Sequence, residues 1–277
     1  MVFGLPAGEL ALLVGAILIA GLISGLLAGL FGIGGTTVII PVLYEVFGLL
    51  AVPEEFRMQL CIGTALAVTV PTMVRAYYAH RAKGAILNSA LRVWAIPAAA
   101  GVAVGSYIAH IAPSAVFETT FIFFAVFMSM RFLFGRDDWR AGDNLPGTLG
   151  MAAAGFSFGC LATLVGVAGG SFATLFLTLY GTPFHVAVAT STGLGLIIGV
   201  PATIGYMSAG WAYQSALPPF SIGFVSVLGA LLIAPSAVFA APYGARLAHR
   251  LSKRKLEVAF GLFLLAIATR FAASLIF

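Results

Sequence analysis

Two stretches of this chain, 134 residues apart, carry the same broken apolar pattern. The first runs Gly21-Leu-Ile-Ser-Gly25-Leu-Leu-Ala-Gly-Leu30-Phe-Gly32-Ile-Gly34-Gly35-Thr36. The second runs Gly155-Phe-Ser-Phe-Gly159-Cys-Leu-Ala-Thr-Leu164-Val-Gly166-Val-Ala-Gly169-Gly170. Each ends a hydrophobic segment in a cluster of glycines. A fold that accepts both must hold two copies of one unit, each with an interrupted apolar helix. Paired interruptions of this kind are the sequence mark of a transport site within a membrane.

The medium follows from composition. The chain is 61% hydrophobic and only 8% charged, with a mean hydropathy of +1.08. Soluble domains carry roughly 25% charged residues, so this is an all-α polytopic membrane protein. With about 20 residues per crossing, 277 residues allow roughly eight to ten helices and almost no soluble domain. The opening Met1-Val-Phe-Gly-Leu-Pro has no basic stretch, so the first apolar segment reads as a span and not a cleaved leader. The basic pI of about 9.5 is explained by loop cations that set orientation, without nucleic acid.

Apolar runs bounded by Gly, Pro and charge give ten segments. They lie near 9–31, 36–50, 60–79, 91–109 and 116–134, then 148–165, 170–182, 187–207, 217–243 and 256–276. The second and seventh are short for a full crossing. If all ten cross, Lys and Arg should collect in alternate loops. The loops after segments three, five and nine, with the segment ends that flank them, hold Arg81, Lys83 and Arg92; Arg131, Arg136 and Arg140; and Arg246, Arg250, Lys253, Arg254 and Lys255. The intervening loops hold only Arg57. This places the basic loops in the cytoplasm and both termini on the outer side.

The halves also align beyond the glycines: Thr64 with Thr190 and Gly84 with Gly210, then Ala109-His110 with Ala248-His249. The loop after segment three is basic, whereas its counterpart near 208–216 carries no charge. The loop after segment four, near 110–115, has no Lys or Arg, whereas its counterpart near 244–255 carries five. Such a swap is what inversion of a five-segment unit requires. The expected organisation is a first repeat over 1–135, a cytoplasmic linker at 136–147, and an inverted repeat over 148–277.

Non-helical backbone survives inside a bilayer only where protein or a water-filled cavity surrounds it. A helix starting just after Gly35 or Gly170 leaves its first N–H groups without intrahelical partners. Together with the positive end of the helix dipole, those donors suit an anion. Thr36, Thr37 and Ser171 fall where a capping hydroxyl would sit. The spacing Gly21-xxx-Gly25-xxx-Gly29 reads instead as close helix packing. Candidate substrate-lining positions are therefore Gly32, Gly34, Gly35, Thr36 and Thr37, with Gly166, Gly169, Gly170 and Ser171. A second repeated patch adds Thr64 against Thr190-Ser191, for which back-bonding to the helix and substrate contact are both open. A nucleotide site is excluded, because the Lys-Ser/Thr of a phosphate loop is missing.

Glu45 and Arg75 are the candidate coupling groups, since ionisable residues in membrane segments are functional by default. For Arg75, snorkelling to the inner end is the competing reading, and for Glu45 an interfacial position. Glu118, near the outer start of segment five, is expected to be exposed. Cys61 and Cys160 read as buried small hydrophobes. His80, His110, His185 and His249 lie at segment ends without metal-ligand spacing, so no metal is assigned. No cofactor or catalytic constellation is expected.

The order Gly-Leu-Phe-Gly32-Ile-Gly34-Gly35, Gly63-Thr64-Ala-Leu and Tyr77-Tyr78-Ala-His80-Arg81-Ala-Lys-Gly84 resembles the sulfite exporter TauE/SafE family of membrane transporters. So does the second half, with Gly166-Val-Ala-Gly169-Gly170, Ala189-Thr190-Ser191 and Gly244-Ala-Arg-Leu-Ala-His249-Arg-Leu. Departures from the family pattern are Thr36, Ala65 and Ala168. The resemblance implies secondary transport of sulfite or organosulfonates across the bacterial inner membrane, with export as the commonest direction. Its partners would be a small anion, membrane lipid and a proton or sodium as coupling ion. An anion channel of the same architecture and a membrane protein assisting sulfur metabolism are the competing readings.

Overall fold

The computed structural model describes residues 7–31, 35–81, 86–135, 140–247 and 253–276. Ten α-helices appear among them: α1 Ala7–Phe31, α2 Thr36–Leu49, α3 Glu54–Arg81, α4 Asn88–Ile111, α5 Ser114–Phe134, α6 Thr148–Val165, α7 Gly170–Leu179, α8 Phe184–Ala209, α9 Val227–Leu247 and α10 Lys253–Ile276. Six of them are long and apolar enough to cross a bilayer. The chain is thus a multi-pass, all-α membrane protein. The expected segments match these helices closely, except the third, read as 60–79 but helical from Glu54, which puts Arg57 in the helix, and the ninth, read as 217–243. That helix starts only at Val227, because Pro218-Pro219 cannot continue a helix. Before it stand a 3-10 turn, Trp211–Ala216, and a tight hairpin pairing Ser221 with Ser226 and Ile222 with Val225.

Burial ranks the helices. In the most apolar stretches of α3 and α8, 61% and 67% of residues are buried, against 33% in α4 and α9. The α3–α8 pair is therefore the centre, with α2 packed on α3 and α7 on α8. The outer packing is exchanged between the halves: α1 lies on α9, and α6 on α4. Likewise α3 touches α9, and α8 touches α4.

Glycines make these exchanged contacts close. A Cβ on Gly21 or Gly25 would collide with Ser236 or the Ala237 carbonyl of α9. One on Gly159 would collide with the Ala98 carbonyl of α4, and one on Gly155 would lie 2.8 Å from Trp94 Cδ1. Within a bilayer, where lipid competes for apolar surface, such backbone proximity is what drives helices together. Gly21 and Gly25 are thus packing residues, as their spacing suggested, and Gly155 and Gly159 pack in the same way. The pair α5–α10 closes the bundle through Phe121 on Phe271 and Phe132 on Phe260. Arg254 adds donors to the Phe132 and Leu133 carbonyls at the end of α5, where a cation is favoured.

Candidate functional site

The second helix break is fully described. Gly166 ends α6 in the left-handed conformation, φ 78°, and its N–H donates to the Ala162 carbonyl at 2.9 Å. Val167 and Ala168 follow, both buried. Gly169, again left-handed at φ 73°, then opens α7. Only glycine adopts these angles freely, so the helix is interrupted here without a side chain in the way. The interruption sits inside the protein: Gly166 lies against Ile40 of α2 and Ile62 of α3, and Gly169 against Ile198 and Leu194 of α8. The start of α2 is packed as tightly but without a left-handed turn, Gly35 having φ −67°. Gly35 opens α2 so close to α1 that a Cβ there would overlap Ser24. Gly32 and Gly34 lie outside the described residues, as do Lys83, Gly84, Arg136, Ala248, His249 and Arg250.

The hydroxyls do not cap these helices as their position suggested. Gly35 and Gly169 are the N-caps, and neither helix has a side-chain cap bond. Thr36, Thr37, Gly170 and Ser171 instead occupy the first turns, all buried. Thr37 Oγ1 and, one turn further along α7, Thr174 Oγ1 are buried without a hydrogen-bond partner. Two orphan hydroxyls beside two helix starts are donors left available in the interior, and Thr174 escaped the sequence reading. Only its place on the same short helix as Ser171 pointed to it.

Thr64 and Thr190 behave alike. Thr64 Oγ1 donates to the Leu60 carbonyl at 2.7 Å and accepts the Ser226 N–H at 2.9 Å. Thr190 Oγ1 donates to the Val186 carbonyl at 2.8 Å and accepts the Leu87 N–H at 3.0 Å. Each therefore ties a central helix to the entry of the other half's fourth helix. Ser191 bonds back to the Val188 carbonyl at 2.7 Å.

The ionisable residues separate. Glu45 of α2 pairs with Arg270 of α10 at 2.8 Å, both exposed. Arg75 is exposed near the end of α3. Neither lies among the buried hydroxyls of the two breaks. Glu118, expected to be exposed, is 4% exposed and accepts hydrogen bonds from Ser114 and Tyr44. The helical turn following Pro113 rotates it inward, against α2. Cys61 is buried as expected, but Cys160 is only partly covered. His110 Nδ1 lies 3.2 Å from the Ala209 carbonyl, which it meets as a donor.

Comparison with known proteins agrees with this architecture. The chain matches a family model described as sulfite exporter TauE/SafE over residues 17–271. A probable membrane transporter protein of Haemophilus influenzae is 28% identical over 252 residues, covering 91% of this chain and 95% of that one. A probable membrane transporter protein of Methanocaldococcus jannaschii is 24% identical over 254 residues, covering 90% and 92%. The probable membrane transporter protein YunE of Bacillus subtilis is 26% identical over 228 residues, covering 73% and 82%. No solved structure matches significantly. With a family model spanning nearly its whole length, the chain belongs to the sulfite exporter TauE/SafE family of membrane transporters.

Proposed function

We propose that the chain is a secondary transporter moving small sulfur-containing oxyanions, sulfite or organosulfonates, out across the bacterial inner membrane. Access alternates between two inverted repeats, 1–135 and 148–277, joined by a cytoplasmic linker at 136–147, with both termini outside. One observation carries the anion site: two buried helix starts, at Gly35 and Gly169, lie beside the unpartnered hydroxyls of Thr37 and Thr174. An anion leaving water must find several donors at once, since an unpaired charge in hydrocarbon costs many kcal/mol. Backbone N–H groups near Gly32, Gly34, Gly35, Thr36 and Thr37, and near Gly170 and Ser171, supply them without a buried Lys or Arg, while Gly166 and Gly169, whose own N–H groups bond the Ala162 and Val167 carbonyls, shape the turn that presents them. The sulfur in the substrate comes from the family description alone. Support for inversion is the charge swap between equivalent loops and the exchange of partners, α1 with α9 and α6 with α4. The crossed bonds of Thr64 and Thr190 add to it.

Counterflow tests this reading. Proteoliposomes preloaded with sulfite, thiosulfate, sulfate or a small sulfonate are diluted into trace labelled anion. A carrier accumulates label transiently above equilibrium for its substrates. Uptake that only equilibrates, with no overshoot, would identify a channel and overturn the proposal.

A further inference from the structure

A carboxyl buried without a cation is costly to keep charged, and Glu118 is one. It is 4% exposed, and among the described residues no Lys, Arg or His stands within ion-pair distance of it. Its partners are two neutral hydroxyls, Ser114 Oγ at 3.2 Å and Tyr44 OH at 3.4 Å. Both donate to Oε1, which leaves Oε2 able to carry a proton. The charged groups whose fields reach it are Glu54 and Arg57 of α3. Arg57 is committed elsewhere: it donates twice to the Val52 carbonyl, at 3.3 and 3.0 Å, and lies 5.3 Å from the Tyr44 ring centroid. From α10 comes the Phe271 ring, 5.0 Å from that of Tyr44. The Arg270 cation of α10 is held by Glu45.

The position of Tyr44 matters as much as its hydroxyl. It lies on α2, whose first turn carries Thr37 and its unpartnered hydroxyl. Seven residues, about 10 Å at the helical rise of 1.5 Å, separate the two on one helix, with Pro41 between them. A displacement of α2 as a unit moves both its first turn and the Tyr44–Glu118 contact. A charged Glu118 also places a negative field near the proposed anion site, with little water between to screen it.

We infer that Glu118 is a proton-binding site linked through α2 to the anion site, so that binding an anion draws a proton onto Glu118 Oε2. This rests on the transport reading above. The step is a protonation only: an O–H bond forms at Oε2 with a proton from water, and no electrons move. Linkage is reciprocal, so anion affinity rises as pH falls and anion addition makes a weakly buffered solution more alkaline.

The test uses purified full-length protein and anions whose charge is constant across roughly pH 5–8: thiosulfate, sulfate and methanesulfonate. In the wild type, affinity for whichever of them binds should rise about tenfold from the alkaline to the acid end. A pH dye should register proton uptake on anion addition. Glu118→Gln, close in shape and fixed neutral, should bind with less than a twofold pH response and take up no proton. Tyr44→Phe, which keeps the ring and loses the hydroxyl, should at least halve the pH response, and it decides the matter if Glu118→Gln does not fold. Wild-type binding without pH dependence overturns the inference and leaves the transport reading standing, as does Glu118→Gln or Tyr44→Phe with the full wild-type response. If none of the three anions binds the wild type, the inference is overturned; if sulfite does not bind either, the transport reading falls with it.

Discussion

Leucine at Gly35 or at Gly169 is expected to reduce transport about 100-fold while the protein still inserts. At Gly35 the first side-chain atom already overlaps Ser24 of α1. At Gly169 the backbone is left-handed, and a Cβ would stand 2.5 Å from Ile198 Cδ1. Overpacking of this kind costs about 1–3 kcal/mol, and the left-handed angle adds roughly 1–2 kcal/mol for a residue with a Cβ. About 3 kcal/mol against the conformer that carries both helix starts corresponds to roughly a 100-fold loss. Insertion should persist, because it follows segment hydropathy more than local packing. Gly15→Leu is the control, since a Cβ there meets nothing within 4 Å. Flux near the wild-type level in Gly35→Leu and Gly169→Leu, measured at equal protein density in proteoliposomes, would separate the glycine breaks from the pathway.

The crossed bonds of Thr64 and Thr190 give the second large effect, on stability. Valine keeps the shape of threonine and removes the hydroxyl. Thr64→Val leaves the Ser226 N–H at the entry of α9 without its acceptor, and Thr190→Val does the same to Leu87 before α4. An orphaned buried donor costs about 1–3 kcal/mol, which for a chain of this size lowers the melting temperature by roughly 2–10 °C. Thr64→Val should be the more severe, because Ser226 is buried and Leu87 only partly so. Serine at either position should restore most of the loss. A melting temperature unchanged in either valine variant would show that its bond does not hold the two halves together.

Most of the fold was legible because its signals are local. Hydropathy and the Gly and Pro boundaries located α1 to α8 and α10, and glycine spacing identified a packing face on α1, though not its partner α9. The late start of α9 was legible in Pro218-Pro219 but was outweighed by the apolar run around it. What sequence could not show were partners brought in by the fold. Glu118 lies four residues after Ser114, a visible helical pair, yet its burial depends on Tyr44, 74 positions away. Glu45 and Arg270 are 225 residues apart, so two separate charges in the sequence become one ion pair at the surface. Capping was misjudged for a different reason. Glycine takes the cap position at both breaks, which moves the hydroxyls one place inward and leaves Thr37 free of that role.

That hydroxyl offers the most direct test that the paired helix starts hold the anion. Isothermal titration with the anion selected by counterflow would compare wild type with Thr37→Val and Thr174→Val. Each variant removes one unpartnered hydroxyl and no internal hydrogen bond. Losing a donor to a charged ligand is worth about 1.5–3 kcal/mol, so affinity should fall at least tenfold in each while the melting temperature stays within a degree or two of wild type. Wild-type affinity in both variants would contradict an anion site at the two broken helices.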